Sequence, residues 1–347
     1  MRPYGELGRL ALEQAALRKR SLAKHPDGGS LWWTAEALEQ STARPVAVHH
    51  ASRFAGLSVL DVGCSVGGDL LALADVGSPV GVDLSEARLL FAQANTGCPL
   101  VCADVSGWSP TGAVFADPAR RFEGRRGFDP TSWSPPLSLV LSWPSSALGV
   151  KVAPGIDYSL LPSDVEVELV SLNGDVKEAM LWRGTIHSGV RRSATLLPSG
   201  ARLVGSGPDG TGAALPPPPV QPPGPYLLEP DGAVIRAHLV AELVALVDGW
   251  LLDATIAYIS ASAAVPTPFG TWYSVLEVLP FSLKGVRERL RAYDTGTVVI
   301  KKRGTAVEPE AFRRRLGLRG SREMTVILTR AAGRQVALIA QPLSAQG

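Results

Sequence analysis

Cysteine is scarce in these 347 residues, with only Cys64, Cys98 and Cys102. An odd, sparse count of this kind is no disulfide framework, and no pair carries the repeated CxxC spacing of a zinc site. Histidine is equally thin at five residues, and no cluster of His, Cys and carboxylates has ligand spacing, so no metal is expected. A signal peptide is missing as well: the N-terminus carries Glu6, Arg9, Glu13 and Arg18-Lys19-Arg20 with no apolar stretch between them. The longest apolar region, from Leu239 to Val265, contains Glu242, Asp248 and Asp253. A bilayer span needs about 20 residues without such charges. These absences predict a cytoplasmic, soluble protein with no membrane partner.

What is present is apolar and turn-rich. Apolar residues make up 46% of the chain, enough for a sizeable core, which excludes wholesale disorder. Glycine (36) and proline (28) exceed their usual combined share of about 12%, so many turns are expected. The length argues for two or three domains. The first 50 residues read as a helical segment. Helices are expected over 5–24 and 34–43, separated by Pro26-Asp27-Gly28-Gly29.

From Leu57 the pattern changes. Ser58–Val62 is followed by Gly67–Ala74, Pro79–Val82 by Ser85–Asn95, then Pro99–Ala103 and Ala113–Ala116. Short apolar runs alternating with amphipathic segments predict an α/β fold, a doubly wound and mostly parallel sheet over 51–207. Lys151–Ala153 and Glu166–Leu172 continue it, and Ser193–Leu197 with Ala201–Val204 reads as an edge hairpin turned at Pro198-Ser199-Gly200. Pro208 to Pro225 holds eight prolines and reads as a linker or loop. A connecting α/β segment is expected over 226–276, with a helix at 235–247 and a strand at 253–260. An α+β tail over 277–347 follows.

Asp61-Val62-Gly63-Cys64-Ser65-Val66-Gly67-Gly68-Asp69 leaves a strand and opens a helix. Glycines there permit left-handed backbone and let a ligand approach the main chain. Dinucleotide-binding and methyltransferase folds both use such a turn. Asp83 ends the second strand, placed to accept from ribose hydroxyls, and both folds have an acid there. Asp104 ends the third strand, where a carboxylate can accept from an adenine amino group. Asp117 ends the fourth, in Asp117-Pro118-Ala119-Arg120-Arg121. Acids at four successive strand ends point to one crevice at the carboxyl edge of the sheet.

With these motifs, and with Lys151-Val152-Ala153-Pro154-Gly155-Ile156-Asp157, Glu229-Pro230-Asp231-Gly232, Lys301-Lys302-Arg303-Gly304 and Arg313-Arg314-Arg315-Leu316, the chain resembles class I S-adenosylmethionine-dependent methyltransferases. It is most similar to a bacterial family described as RNA methyltransferases that carry a C-terminal THUMP-like domain. The resemblance runs from about Trp32 to the end. It implies a Rossmann-like catalytic domain, S-adenosyl-L-methionine as cofactor, and a cofactor site of Asp61, Gly63, Ser65, Gly67, Asp83 and Asp104. Ser65 stands where the broader pattern has its middle glycine, which implies weakened or adjusted cofactor binding.

In amino-methylating nucleic-acid enzymes the turn after the fourth strand reads Asp/Asn-Pro-Pro-aromatic. Here Asp117 and Pro118 are retained and Arg120 takes the aromatic position, making these three the candidate catalytic residues. Asp117 can hold an amine or ring N–H, while Arg120 and Arg121 can stack or clamp phosphate. Cysteine-dependent carbon methylation is disfavoured, because the last cysteine is Cys102. The five histidines are scattered and supply no evident base. Lys151 follows the crevice in sequence and can line it.

The net charge of +2 conceals a division. Residues up to Leu276 carry a net −6 and the remaining 71 a net +8. A basic tail beside an acidic catalytic part suits a module that tracks phosphates. Lys301, Lys302, Arg303, Arg313, Arg314 and Arg315 are its expected RNA contacts, with tRNA or rRNA as partner. A small-molecule or protein methyltransferase, and an RNA-binding adaptor that retains the fold, are the competing readings.

Overall fold

The structure, a computed structural model, describes residues 5–119, 121–122, 125–126, 132–207, 210 and 215–343. The chain forms two compact units, Met1–Leu172 with Lys177–Arg191, and Asn173–Val176 with Arg192–Gly347. None of the described helices is long and apolar enough to cross a membrane.

The first unit opens with α1 (Gly5–Ser21), α2 (Ala35–Gln40) and α3 (Arg44–Ser52). α2 is shorter than expected, and α3 lies beyond the expected helical stretch. Ala43 is extended, and Pro45 in the first turn of α3 suits a new helix start. The α/β part then runs β1 (Ser58–Val62), α4 (Gly68–Ala74), β2 (Ser78–Asp83), α5 (Glu86–Thr96), β3 (Leu100–Cys102), β4 (Ala113–Ala116), β5 (Arg121–Phe122), β6 (Arg125–Arg126), α6 (Leu137–Ser142), β7 (Ala147–Val152), β8 (Glu166–Leu172) and β9 (Asp175–Gly184). α5 has both helix-end signals: the Ser85 hydroxyl accepts from Arg88 N–H, and Gly97 closes it in left-handed conformation.

The strand order is β8-β9-β7-β4-β1-β2-β3. β3, β2, β1, β4 and β7 run parallel to one another, and β9 runs antiparallel to β7. The order reverses between β1 and β4, which opens a crevice at their carboxyl ends. One face is packed by Ala47, Ala51 and Phe54 from α3 and its end, with Ala72 and Leu73 from α4, against Val59, Phe115 and Trp182. Each large side chain fully buried here contributes about 1.5–3 kcal/mol. α3 therefore shares a core with the sheet.

The second unit contains the hairpin β10 (Arg192–Leu197) and β11 (Ala201–Val204), then β12 (Tyr226–Pro230), α7 (Gly232–Arg236), α8 (Val240–Leu246), β13 (Trp250–Asp253), β14 (Ile256–Ala261), β15 (Gly270–Pro280), α9 (Leu283–Ala292), β16 (Thr295–Lys302), α10 (Pro309–Leu316), β17 (Arg322–Ala331) and β18 (Arg334–Pro342). The order β13-β14-β12-β15-β18-β17-β16 makes one seven-stranded sheet. The expected boundary at Leu276 falls inside β15, at a bulge between Val275 and Glu277.

Two expected elements are divided. The helix at 235–247 is α7 and α8, because His238 takes a left-handed φ of 60°. The strand expected at 253–260 is shared between the end of β13, a turn and β14, which starts at Ile256. The turn of this β13–β14 hairpin is made by Asp253 Oδ1, which accepts from the Thr255 N–H at 3.0 Å and hydroxyl at 2.7 Å. The Pro-rich stretch at 215–225 lies along this hairpin: Leu251 N–H donates to Pro219 O at 2.9 Å and Trp250 Nε1 to Pro222 O at 2.8 Å. Residues 208, 209 and 211–214 lie outside the described residues.

Candidate active site

The turn between β1 and α4 folds back on itself. Gly63 and Cys64 N–H both donate to Val82 O, at 2.8 and 3.1 Å. Gly63, Ser65 and Gly67 take φ of 84°, 51° and 90°. At Gly63 a Cβ would stand 2.6 Å from the carbonyl oxygen of Asp117, so this turn and the one after β4 meet main chain to main chain. Ser65 keeps the left-handed backbone that a glycine would take, at a cost of about 1–2 kcal/mol. Its N–H donates to Asp83 Oδ2 at 3.0 Å, and Ser85 N–H donates to Asp83 Oδ1 at 2.8 Å. The β2 carboxylate is thereby fixed against the glycine-rich turn. Cys64 is buried, and burial, reinforced by the charge of Asp61, pushes its thiol up. It is a core residue here.

A buried charge cluster lies beneath. Lys151, in β7, is 3% exposed, yet its Nζ donates to Asp117 Oδ2 at 2.6 Å, Thr42 Oγ1 at 2.7 Å and Asp69 Oδ2 at 3.1 Å. Thr42 Oγ1 also donates to Asp69 Oδ2 at 3.2 Å, which closes a ring of three groups. Burial opposes the ammonium charge, but Asp117 and Asp69 outweigh it and hold Lys151 protonated well above its ordinary range. Burial likewise opposes the Asp69 charge, and Lys151 reverses the effect, keeping it a carboxylate. Asp61 differs. Both of its oxygens are buried without a hydrogen-bond partner among the described residues, and burial, then the charges of Asp69 and Asp117, raise its pKa well above the usual carboxylate range. An unpartnered carboxyl at the switch point is suited to an incoming cation.

Asp117 follows β4, with its N–H donating to Val62 O at 2.9 Å and its side chain partly open. Pro118 is buried, and Ala119 bridges to Ser134 through N–H···O contacts of 2.8 and 3.1 Å. Arg120 lies outside the described residues. Asp104 is exposed and turned into its own loop, its Oδ1 accepting from the Ser106 hydroxyl (2.6 Å) and N–H (2.8 Å), which lower its pKa. Among the described residues, no group of three or more His, Cys, Asp or Glu is arranged to hold a metal ion.

The basic residues of the second unit fall into two sets. Lys301 is paired with Glu229 at 3.0 Å, Lys302 with Glu308 at 3.1 Å and Arg313 with Glu310 at 2.7 Å. Arg303 lies over the Tyr258 ring at 5.1 Å. Arg314 and Arg315 are exposed and have no ion-pair partner among the described residues. The same holds for Arg291, Arg319 and Arg334, which are not among the expected RNA contacts. α10 explains part of the division: Phe312 and Leu316 turn inward, which leaves 313–315 on the outer face. Thr42 and Asp69 were likewise not singled out as site residues. Asp69 closes the glycine-rich run, but Thr42 carries no local signal.

Residues 270–342, spanning β15 to β18, match the family model described as THUMP domain-like. Over 345 residues, 94% of either chain, the protein is 39% identical to an uncharacterized S-adenosylmethionine-dependent methyltransferase of Mycobacterium tuberculosis strain CDC 1551 / Oshkosh. The protein of that description from strain ATCC 25618 / H37Rv matches to the same extent. A candidate methyltransferase from Porphyromonas gingivalis W83 shares the fold, with a TM-score of 0.77 over 94% of this chain and 88% of its own at 21% identity. The chain belongs to the S-adenosylmethionine-dependent methyltransferases, uses S-adenosylmethionine as its cofactor, and carries a THUMP domain-like module at its C-terminus.

Proposed function

We propose that the protein methylates a nitrogen of structured RNA, tRNA or rRNA, in the cytoplasm, with the C-terminal module holding the RNA. The observation that carries this reading is the coincidence of the THUMP domain-like stretch with five exposed arginines that have no ion-pair partner among the described residues. Arg291, Arg314, Arg315, Arg319 and Arg334 are free to neutralise phosphates, whereas Lys301, Lys302 and Arg313 must first leave a carboxylate.

The crevice residues fit the cofactor. Asp61 supplies an unpartnered carboxyl for its ammonium, and the left-handed backbone at Gly63, Ser65 and Gly67 shapes the turn that meets its amino-acid part. Asp83 accepts from the ribose hydroxyls, and Asp104, on the rim with Ser106 engaging only Oδ1, accepts from the adenine amino group. When bound, the cofactor would supply an electrophilic methyl group to the acceptor nitrogen. Asp117 accepts an N–H of the acceptor and orients its lone pair. Buried Pro118 sets the backbone of the turn, and Arg120 contacts the base or its phosphate. The contribution of these residues is positioning and exclusion of water.

The deciding experiment compares modified nucleosides by mass spectrometry in RNA from cells with and without the gene. A nucleoside that disappears identifies the product. Identical nucleoside profiles, together with methyl label entering an RNA-free extract, would overturn the RNA reading.

A further inference from the structure

β7 pairs in parallel with β4, Val150 opposite Ala116, so the next residues in register are Lys151 and Asp117. The Lys151 ammonium has three hydrogens and three acceptors, one each from the segment before α3 (Thr42), the first turn of α4 (Asp69) and the turn after β4 (Asp117). With every proton engaged and two carboxylates beside it, Lys151 has no lone pair to offer as a base. An apolar side chain of similar length would fill the same space without the cost of burying a charge, so what the ammonium adds is direction.

We propose that Lys151 is a positioning residue for methyl transfer: it locks the Asp117 carboxylate of the acceptor turn to the cofactor helix through Asp69 and to the N-terminal segment through Thr42. The proposal rests on the reading of Asp117 as the carboxylate that meets the acceptor. The contact between Gly63 and Asp117 fixes the main chains of the two turns, and Lys151 fixes the side chain that the main chain alone leaves free to rotate. The cluster keeps one net negative charge, two carboxylates to one ammonium, which would favour a sulfonium and an acceptor gaining positive charge beside it.

The test uses the full chain and three variants, Lys151→Met, Lys151→Arg and Asp117→Asn. Hydrogen exchange follows the amides of Arg44, Asp117 and Ala119, which donate to Lys24 O, Val62 O and Ser134 O. Calorimetry gives the affinity for S-adenosylhomocysteine, and labelled methyl transfer is read on total RNA from cells lacking the gene. Lys151→Met is expected to speed exchange at those amides about tenfold. It should lower transfer at saturating cofactor about a hundredfold and leave S-adenosylhomocysteine affinity within about threefold. Adding Asp117→Asn should cost nothing more.

Lys151→Arg keeps the charge but cannot set one nitrogen on three acceptors, and falls between. If Lys151→Met does not fold, Lys151→Arg and Thr42→Val carry the same comparison. Unchanged exchange, or affinity falling by the same factor as transfer, overturns the proposal. A wild-type protein that labels no RNA counts against the RNA reading, while the exchange comparison still decides the role of Lys151.

Discussion

The carbonyl oxygen of Asp117 occupies the space where Gly63 would carry a side chain, 2.6 Å from the position of a Cβ. The glycine-rich turn after β1 and the turn after β4 are thus in main-chain contact. With φ at 84°, Gly63→Ala combines left-handed strain with overpacking, at a cost of about 2–4 kcal/mol. Denaturant unfolding should show this loss, and S-adenosylhomocysteine binding should weaken with it.

Ser65 offers the reverse change. Its φ of 51° is one a glycine adopts freely. Ser65→Gly keeps the N–H that donates to Asp83 and relieves the strain, offset by the greater entropy of an unfolded glycine. Stability should stay within about 1 kcal/mol of wild type, on the favourable side. Cofactor affinity measured by calorimetry should not fall; a clear drop would assign the Ser65 hydroxyl a direct contact.

His50 predicts acid sensitivity. Burial, then the neighbouring His49, push its pKa down to about 3, and neither ring nitrogen has a hydrogen-bond partner among the described residues. Unfolded, it titrates near 6.5, so between those values the unfolded chain binds the extra proton and stability falls as pH falls. His50→Leu should flatten the stability profile between pH 6.5 and 4.5 by up to about 1.4 kcal/mol per pH unit. The check is chemical denaturation at several pH values, and an unchanged slope would exclude His50 as the source.

RNA binding should separate the two sets of basic residues. Alanine at Arg314, Arg315 and Arg319 should weaken binding of total tRNA and reduce the salt slope by roughly one for each phosphate left without its arginine. Alanine at Lys302, held by Glu308, should have the smaller effect. Filter binding between 50 and 200 mM salt, the range over which phosphate neutralisation registers, is the measurement.

Arg53 predicts a large structural effect away from the crevice. It donates to Glu166 at 2.7 and 2.9 Å and to Glu168 at 3.1 Å, and lies over the Trp182 ring at 4.5 Å. Both glutamates are fully buried. Arg53→Leu removes their guanidinium and should cost about 3–5 kcal/mol in thermal or denaturant unfolding.

Local patterns were legible where they were self-contained. β1, β4, β8 and β11 fall where their apolar runs and end signals place them. The β13–β14 hairpin was hidden because its turn has no Gly, Pro or Asn and depends on Asp253. In the crevice, Asp61, Gly63, Ser65, Asp83 and Asp117 are marked by their strand ends. The partnership of Thr42 and Lys151 is not, since 109 residues separate them and only the folded sheet unites them. The buried Glu166 and Glu168 were equally opaque: alternation suggests a wet face there, and Arg53 makes it a dry one.

Thr42 also bears on what counts as a portable catalytic unit. The segment that supplies it is held by the Lys24 ammonium, which donates to Leu38 O, Glu39 O and Ser41 O, and by Asn95, which grips both Trp32 and Val66. A truncated chain starting at Ala51 would retain every sequence motif of the cofactor crevice. It would lose a wall of the core and one of the three acceptors that Lys151 needs. Grafting this methyltransferase onto a different partner module therefore requires the stretch from α1 onward, although no recognisable motif marks it for inclusion.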